Sequence, residues 1–172
     1  MKKIILTLVV TILATLGAAA QKFAMVDMEY VLKNIPSYEM ANEQLNQLSQ
    51  RWQKEVENVQ IEANTMYKNY QADMVFLTDQ QKKDRESEIV AKERAAVDLR
   101  NKYFGPDGEL AKKRQTLLKP IQDDIYEAVK KLCEERGYQA IFDRSTSADI
   151  IFASPRIDVS NELLERLGYS QR

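Results

Sequence analysis

"SYEMANEQLNQLSQRWQKEVENVQIEANTMYKNYQADMVFLTDQQ", residues 37–81, keeps one helical beat from end to end. Its apolar side chains fall at Tyr38, Ala41, Leu45, Leu48, Trp52, Val56, Val59, Ala63, Met66, Tyr70, Met74 and Leu77, eleven steps over 39 residues with a mean of 3.55. That mean lies between the 3.5 of a tight left-handed coiled coil and the 3.6 of a straight helix, so any supercoil is gentle. A rod of 40 residues is about 60 Å long at 1.5 Å per residue. A domain of about 150 residues cannot enclose such a rod, so the rod projects from it. Ser37, just after Pro36, is placed to cap its start.

The last residues of the same stretch end the rod. Thr78 with Gln81 three positions on is a capping box, in which hydroxyl and carboxamide each satisfy a backbone N–H of the other residue. The chain therefore turns near 78–79 and returns as an antiparallel partner. The apolar face of the return is thin (Ile89, Val90, Ala96, Val97, then Tyr103 and Phe104), with charges between. Symmetric pairing about the turn sets Gly105 beside Trp52. "FGPDG", residues 104–108, then breaks the return helix. Gly105 closes one segment, Pro106 suits the first turn of the next, and small residues leave room for the indole. Trp52, Gly105, Pro106 and Gly108 are expected to form a hinge or kink in the arm.

Outside the arm the pattern changes. Phe23–Val26 reads as a strand, and "MEYVLKN" as a short helix that stops before Pro36. After residue 108 helix resumes to Gly137, with Pro120 expected to bend or restart it and Ile121, Ile125, Ala128, Val129, Leu132 and Cys133 forming an apolar stripe. "YQAIFD" and "DIIFA" read as two strands joined by the polar turn "RSTSA", and Asp158 caps a closing helix. The fold class is therefore mainly α with a small β body (α+β). A long antiparallel helical-hairpin arm, residues 38–119, is inserted between an N-terminal strand and two C-terminal strands. Residues 21–37 and 120–172 make the body. Three short strands are marginal alone, so the β body is expected to be oligomeric.

The first twenty residues read as an export signal: Lys2 and Lys3, an apolar core too short to span a bilayer comfortably, and Ala18-Ala19-Ala20 as cleavage site. The chain is then periplasmic, without stable membrane insertion after cleavage. Removing Lys2 and Lys3 leaves 23 basic side chains against 26 acidic ones, which offers nucleic acid no general attraction. Cys133 is the one cysteine, so no intrachain disulfide forms. Histidine is absent, and with it the commonest general base and metal ligand. No phosphate-binding glycine loop is present. No enzyme, no metal and no cofactor are expected.

"FAMVDMEYVLKNIPSYEMANEQLNQL", "LTDQQKKDRESEI", "LLKPIQDDIYEAVKKLCEERGYQAIFDRS" and "RIDVSNELLERL", in that order, resemble the Skp/OmpH family of periplasmic chaperones. The resemblance spans essentially the whole chain after the leader and contains no catalytic signature. It implies a homotrimer whose helical arms enclose a cavity for unfolded outer-membrane proteins, held without ATP. Well-described relatives carry positive arms. Here Lys82, Lys83 and Arg85 alternate with Asp79, Asp84, Glu86 and Glu88, so no lipopolysaccharide site is carried over.

A holdase of this kind works through many weak apolar contacts. The candidate client-binding residues are Tyr67, Tyr70, Met74, Phe76 and Leu77 on the outgoing rod, with Tyr103 and Phe104 on the return. Tyr70, Met74 and Leu77 lie on the periodic seam and are expected to pack the rods together. Tyr67 and Phe76 lie off it and are the stronger candidates for client contact. The competing reading is an exported coiled-coil spacer or adaptor of the cell envelope, with one defined partner.

Overall fold

The structure, a computed structural model, describes residues 22–146 and 150–169. The expected leader (1–20) and part of the "RSTSA" turn lie outside the described residues. The elements run β1 (Lys22–Val26), α1 (Met28–Lys33), α2 (Pro36–Asp73), α3 (Asp79–Phe104), α4 (Glu109–Arg136), β2 (Tyr138–Asp143) and α5 (Ser160–Arg166). Short 3₁₀ turns occupy Met74–Phe76 and Pro155–Ile157. Among the described residues, no helix is long and apolar enough to cross a membrane. The chain divides into two compact units, one running from Ile35 to Asp123 and the other comprising the segments on either side.

In the flanking unit, β1 and β2 pair in parallel, with Phe23 opposite Ala140 and Met25 opposite Phe142. Parallel strands need a crossover connection, and here everything from Asp27 to Gly137 is that connection. Strand alternation buries Ala24 and Val26 and leaves Phe23 exposed. Ala24 packs with Leu132 of α4 and Val159, with Tyr138 and Ile141 against them. Gly137, at φ 70°, turns the chain from α4 into β2 in a conformation that favours glycine.

A polar knot ties the ends of this unit together. Asp27 caps α1 by accepting from Tyr30 N–H (2.9 Å), while its own N–H donates to Ser160 Oγ (2.8 Å). Arg144 reaches both Asp27 (3.3 Å) and Asp158 (3.1 Å). Asp143 accepts from Met28 N–H, from Ser145 N–H and hydroxyl, and from the Thr146 hydroxyl. Burial works to raise the Asp143 pKa, and the hydrogen bonds from Ser145, Met28 and Thr146 outweigh it, holding the carboxyl below its usual range.

Three expectations need correcting in this frame. The second C-terminal strand does not form: Ile150–Ser154 has no regular structure, and Ile151 is 100% exposed. Both sides of β1 are taken, so it offers this segment no edge. One carries β2; on the other Val159 N–H donates to Met25 O (2.8 Å) beside the isolated Met25–Asp158 bridge. Next, α2 starts at Pro36 with Ile35 at its N-cap, and Ser37 is already helical. Proline fits the first helical position because its missing N–H would have had no intrahelical partner there. Finally, Pro120 does not restart the helix, since α4 is continuous from Glu109 to Arg136. Ile125, Ala128 and Leu132 bury the α4 stripe, and that packing offsets the local cost of about 3 kcal/mol for an interior proline.

In the Ile35–Asp123 unit, α2 and α3 form an antiparallel pair. Glu62 pairs with Lys92, Tyr70 with Glu86 and Glu55 with Tyr103, partners running in opposite chain directions. The seam buries Trp52 and Ala63 of α2 and Ile89, Ala96 and Tyr103 of α3. The three α3 residues are seven apart, the repeat of a coiled-coil seam.

Candidate functional site

The turn between α2 and α3 is built by two local devices. At Asp73 the α-helix tightens into the 3₁₀ turn Met74–Phe76, and Leu77 leaves it extended. The capping box at Thr78 then starts α3: Thr78 Oγ1 accepts from Gln81 N–H (3.3 Å) and Gln81 Oε1 from Thr78 N–H (2.9 Å). The result is an apolar tip. Phe76 is 85% exposed, and Met74 and Val75 are exposed beside it.

The sequence candidates separate by environment. Tyr67 is exposed, its hydroxyl accepting from Gln71 Nε2 (3.0 Å). Tyr70 is half-buried and donates its hydroxyl proton to Glu86 across the hairpin. That hydrogen bond, then desolvation, raises its pKa. Leu77 is half-buried and lines a shallow hollow with Met66, Tyr70 and Ile89. Met74 was expected on the seam and is exposed instead. It begins the 3₁₀ turn at the tip, where α2 ends.

Tyr103 is buried. Its ring stacks on Trp52 with centroids 4.8 Å apart and planes within 6°. Its hydroxyl donates to Glu55 (2.9 Å), a bond that heads the causes raising its pKa. Phe104 stands edge-on to Tyr103 and keeps one side in solvent. Trp52 thus meets an aromatic ring where the sequence expectation gave it empty space beside glycine.

The glycines have a different reason. A Cβ on Gly105 would run into the backbone of Asn101, and one on Gly108 would lie 2.8 Å from Tyr103 O and 2.9 Å from Gly105 N. Gly105 N–H donates to Asn101 O (2.8 Å), and Gly108 N–H to Gly105 O (2.9 Å). The turn folds back on its own preceding helix, so crowding is local. Pro106 lies inside this turn, exposed.

Val90 and Val97, which the sequence pattern sets on the packing face of the return helix, are exposed, and the sequence reading passes over the exposed Val75 and the cross-helix role of Glu55. The signal for the two valines was present: Val90, Val97 and Phe104 are spaced by seven, one position beyond the seam residues. Gln53, Val56, Gln60, Val97 and Phe104 line one open groove on this side of the hairpin. Among the described residues, no cluster of carboxylates, cysteine or histidine could hold a metal ion.

The sequence profile of the OmpH-like outer membrane proteins matches residues 22–167. A crystal structure of a candidate OmpH-like outer membrane chaperone from Caulobacter crescentus is similar in fold. Its TM-score is 0.66 at 12% identity, over 88% of this chain and 86% of the other. No curated protein matches the sequence.

Proposed function

The chain belongs to the OmpH-like outer membrane protein family, and we propose that it is an ATP-independent periplasmic holdase for unfolded outer-membrane proteins. The observation that carries this reading is the exposed apolar tip, Met74-Val75-Phe76, on helices whose other exposed residues are mostly polar or charged. Such a surface offers weak contacts to apolar segments of many sequences. Burial returns about 25 cal/mol per Å² of apolar surface. Several modest patches brought together on neighbouring arms add through effective concentration and still release the client.

In this reading Tyr67, Phe76 and Phe104 touch client, with Met74 as an adaptable addition. Tyr70, Leu77 and Tyr103 hold the hairpin together, and Gly105, Pro106 and Gly108 with Trp52 set the arm's break. Residues 1–20 direct export and are cleaved. Three copies assemble through the β-containing unit. Support for assembly comes from apolar surface that a single chain leaves uncovered: Phe23 and Phe142, 6.1 Å apart between ring centroids, with Ile151 and Phe152.

Residues 21–172 test the proposal directly. Light scattering gives the mass, and a urea-unfolded outer-membrane β-barrel diluted without ATP gives the activity. A trimer that suppresses aggregation is the expected result. A single chain, or an assembly indifferent to the unfolded barrel, overturns it and favours the envelope-spacer reading.

A further inference from the structure

Aspartate is followed by glycine once in this chain, at Asp107-Gly108, and no asparagine is followed by glycine. That pair has a chemistry of its own. The backbone nitrogen of the second residue can attack the side-chain carboxyl carbon of the first and close a five-membered ring. Glycine hinders the attack least, because it carries no Cβ. Here the glycine is not exchangeable, since a Cβ at 108 would lie 2.8 Å from Tyr103 O and 2.9 Å from Gly105 N. The aspartate is within reach of water: Asp107 is exposed, and among the described residues its carboxylate has no hydrogen bond or ion pair.

The turn that holds the pair opposes the reaction. Gly108 N–H donates to Gly105 O (2.9 Å), closing a four-residue turn with Pro106 and Asp107 at its centre. Asp107 does not have a positive φ, which excludes a type II turn and leaves type I, with ψ of Asp107 near 0°. Ring closure needs Gly108 N eclipsed with Cβ of Asp107, at a ψ about 120° away and outside the main allowed regions. Both ends of the turn are also fixed. Gly105 N–H donates to Asn101 O (2.8 Å) in α3, and Gly108 O accepts from Lys112 N–H (3.1 Å) in α4. Cyclisation therefore waits for the turn to open.

We propose that Asp107-Gly108 is an aspartate-isomerisation site that the folded turn holds in check. The bond from Gly108 N to Cγ of Asp107 forms, and the carboxyl hydroxyl leaves with the Gly108 proton as water. Water then opens the ring at either carbonyl. Opening at the backbone carbonyl breaks the original peptide bond and leaves the chain running through Cβ and Cγ as isoaspartate. No oxidant or cofactor enters. The main chain is then one atom longer between 107 and 108, so Gly108 N–H no longer meets Gly105 O in the same geometry, and the joint between α3 and α4 is the point at which the arm ages. This rests on the turn alone and does not depend on holdase activity.

Incubation of residues 21–172 in heavy-oxygen water tests the proposal, since each ring opening leaves a heavy oxygen at position 107. Trypsin, cutting after Lys102 and Lys112, releases residues 103–112. Mass spectrometry of that fragment reads the label, and chromatography separates isoaspartate from aspartate. A synthetic peptide of residues 101–114 in the same neutral buffer is the unlocked reference. The folded protein is expected to label at least about tenfold more slowly than the peptide, in proportion to the time the turn is open. In urea the protein and the peptide should label at one rate. Asp107→Glu, whose ring would have six members, should carry no label at this position. Equal or faster labelling of the folded protein overturns the proposal, because the turn then protects nothing. So does an unlabelled peptide, which makes the pair unreactive, or label that persists in Asp107→Glu, which places its source elsewhere. Protection that survives urea also overturns it, because the fold is then not what protects the pair.

Discussion

Tyr103 shows how one side chain changes role with its surroundings. Stacked on Trp52 and bonded to Glu55, it fastens α3 to α2 just before the chain breaks at Gly105. Trp52→Ala should cost about 3–5 kcal/mol in urea unfolding, the range for deleting a large buried aromatic. Tyr103→Phe keeps the ring stack, loses only the bond to Glu55, and should cost a small part of that. If the two variants unfold at the same urea concentration, the stack is not what holds the helices there. Asp143 is one source of pH dependence, beside Glu135, whose carboxyl the Arg166 hydrogen bond holds below its usual range. The folded-state pKa of Asp143 lies below the unfolded one, so the folded chain binds fewer protons over that interval. Its contribution is therefore complete above the ordinary aspartate value of about 4 and is lost as pH falls below it. Asp143→Asn should be less stable at pH 7 and show a shallower loss of stability on acidification. An unchanged acid slope rules out Asp143 as a source.

At the scale of the element, helix boundaries follow from a few backbone requirements. The capping box at Thr78 sets where α3 begins and the 3₁₀ turn sets which residues reach the tip. The short turn from Gly105 to Gly108 separates α3 from α4. A methyl on Gly108 meets the backbone of Tyr103 and Gly105, neither of which yields as a side chain would. Gly108→Ala should lower stability by about 1–3 kcal/mol, as forced overpacking does. Asp107→Ala, at the exposed neighbouring position, should stay within about 0.5 kcal/mol. Equal unfolding midpoints for the two variants would show that this turn has room for a side chain.

For the whole molecule, the parallel pairing of β1 with β2 brings residues more than a hundred positions apart into one small unit. That unit leaves Ile151 and Phe152 in solvent. If assembly covers them, Ile151→Asp with Phe152→Asp should reduce the solution mass to that of one chain without loss of helix content. An unchanged mass places the assembly surface elsewhere. The long period of α2, the capped turn at Thr78, the break after Phe104, the helix ending at Gly137, the strand at "YQAIFD" and the closing helix were all legible in the residues. Each depends on spacings of a few residues, and such spacings act locally. Packing in three dimensions, and not the local pattern, decides that Ile150–Ser154 makes no strand, that Pro120 stays within one helix, and that Tyr103 is packed while Met74 is exposed. It also decides that Asp27, Asp143, Arg144 and Asp158 form one knot. Those outcomes depend on which distant side chain occupies the neighbouring space, and a one-dimensional pattern does not carry that information.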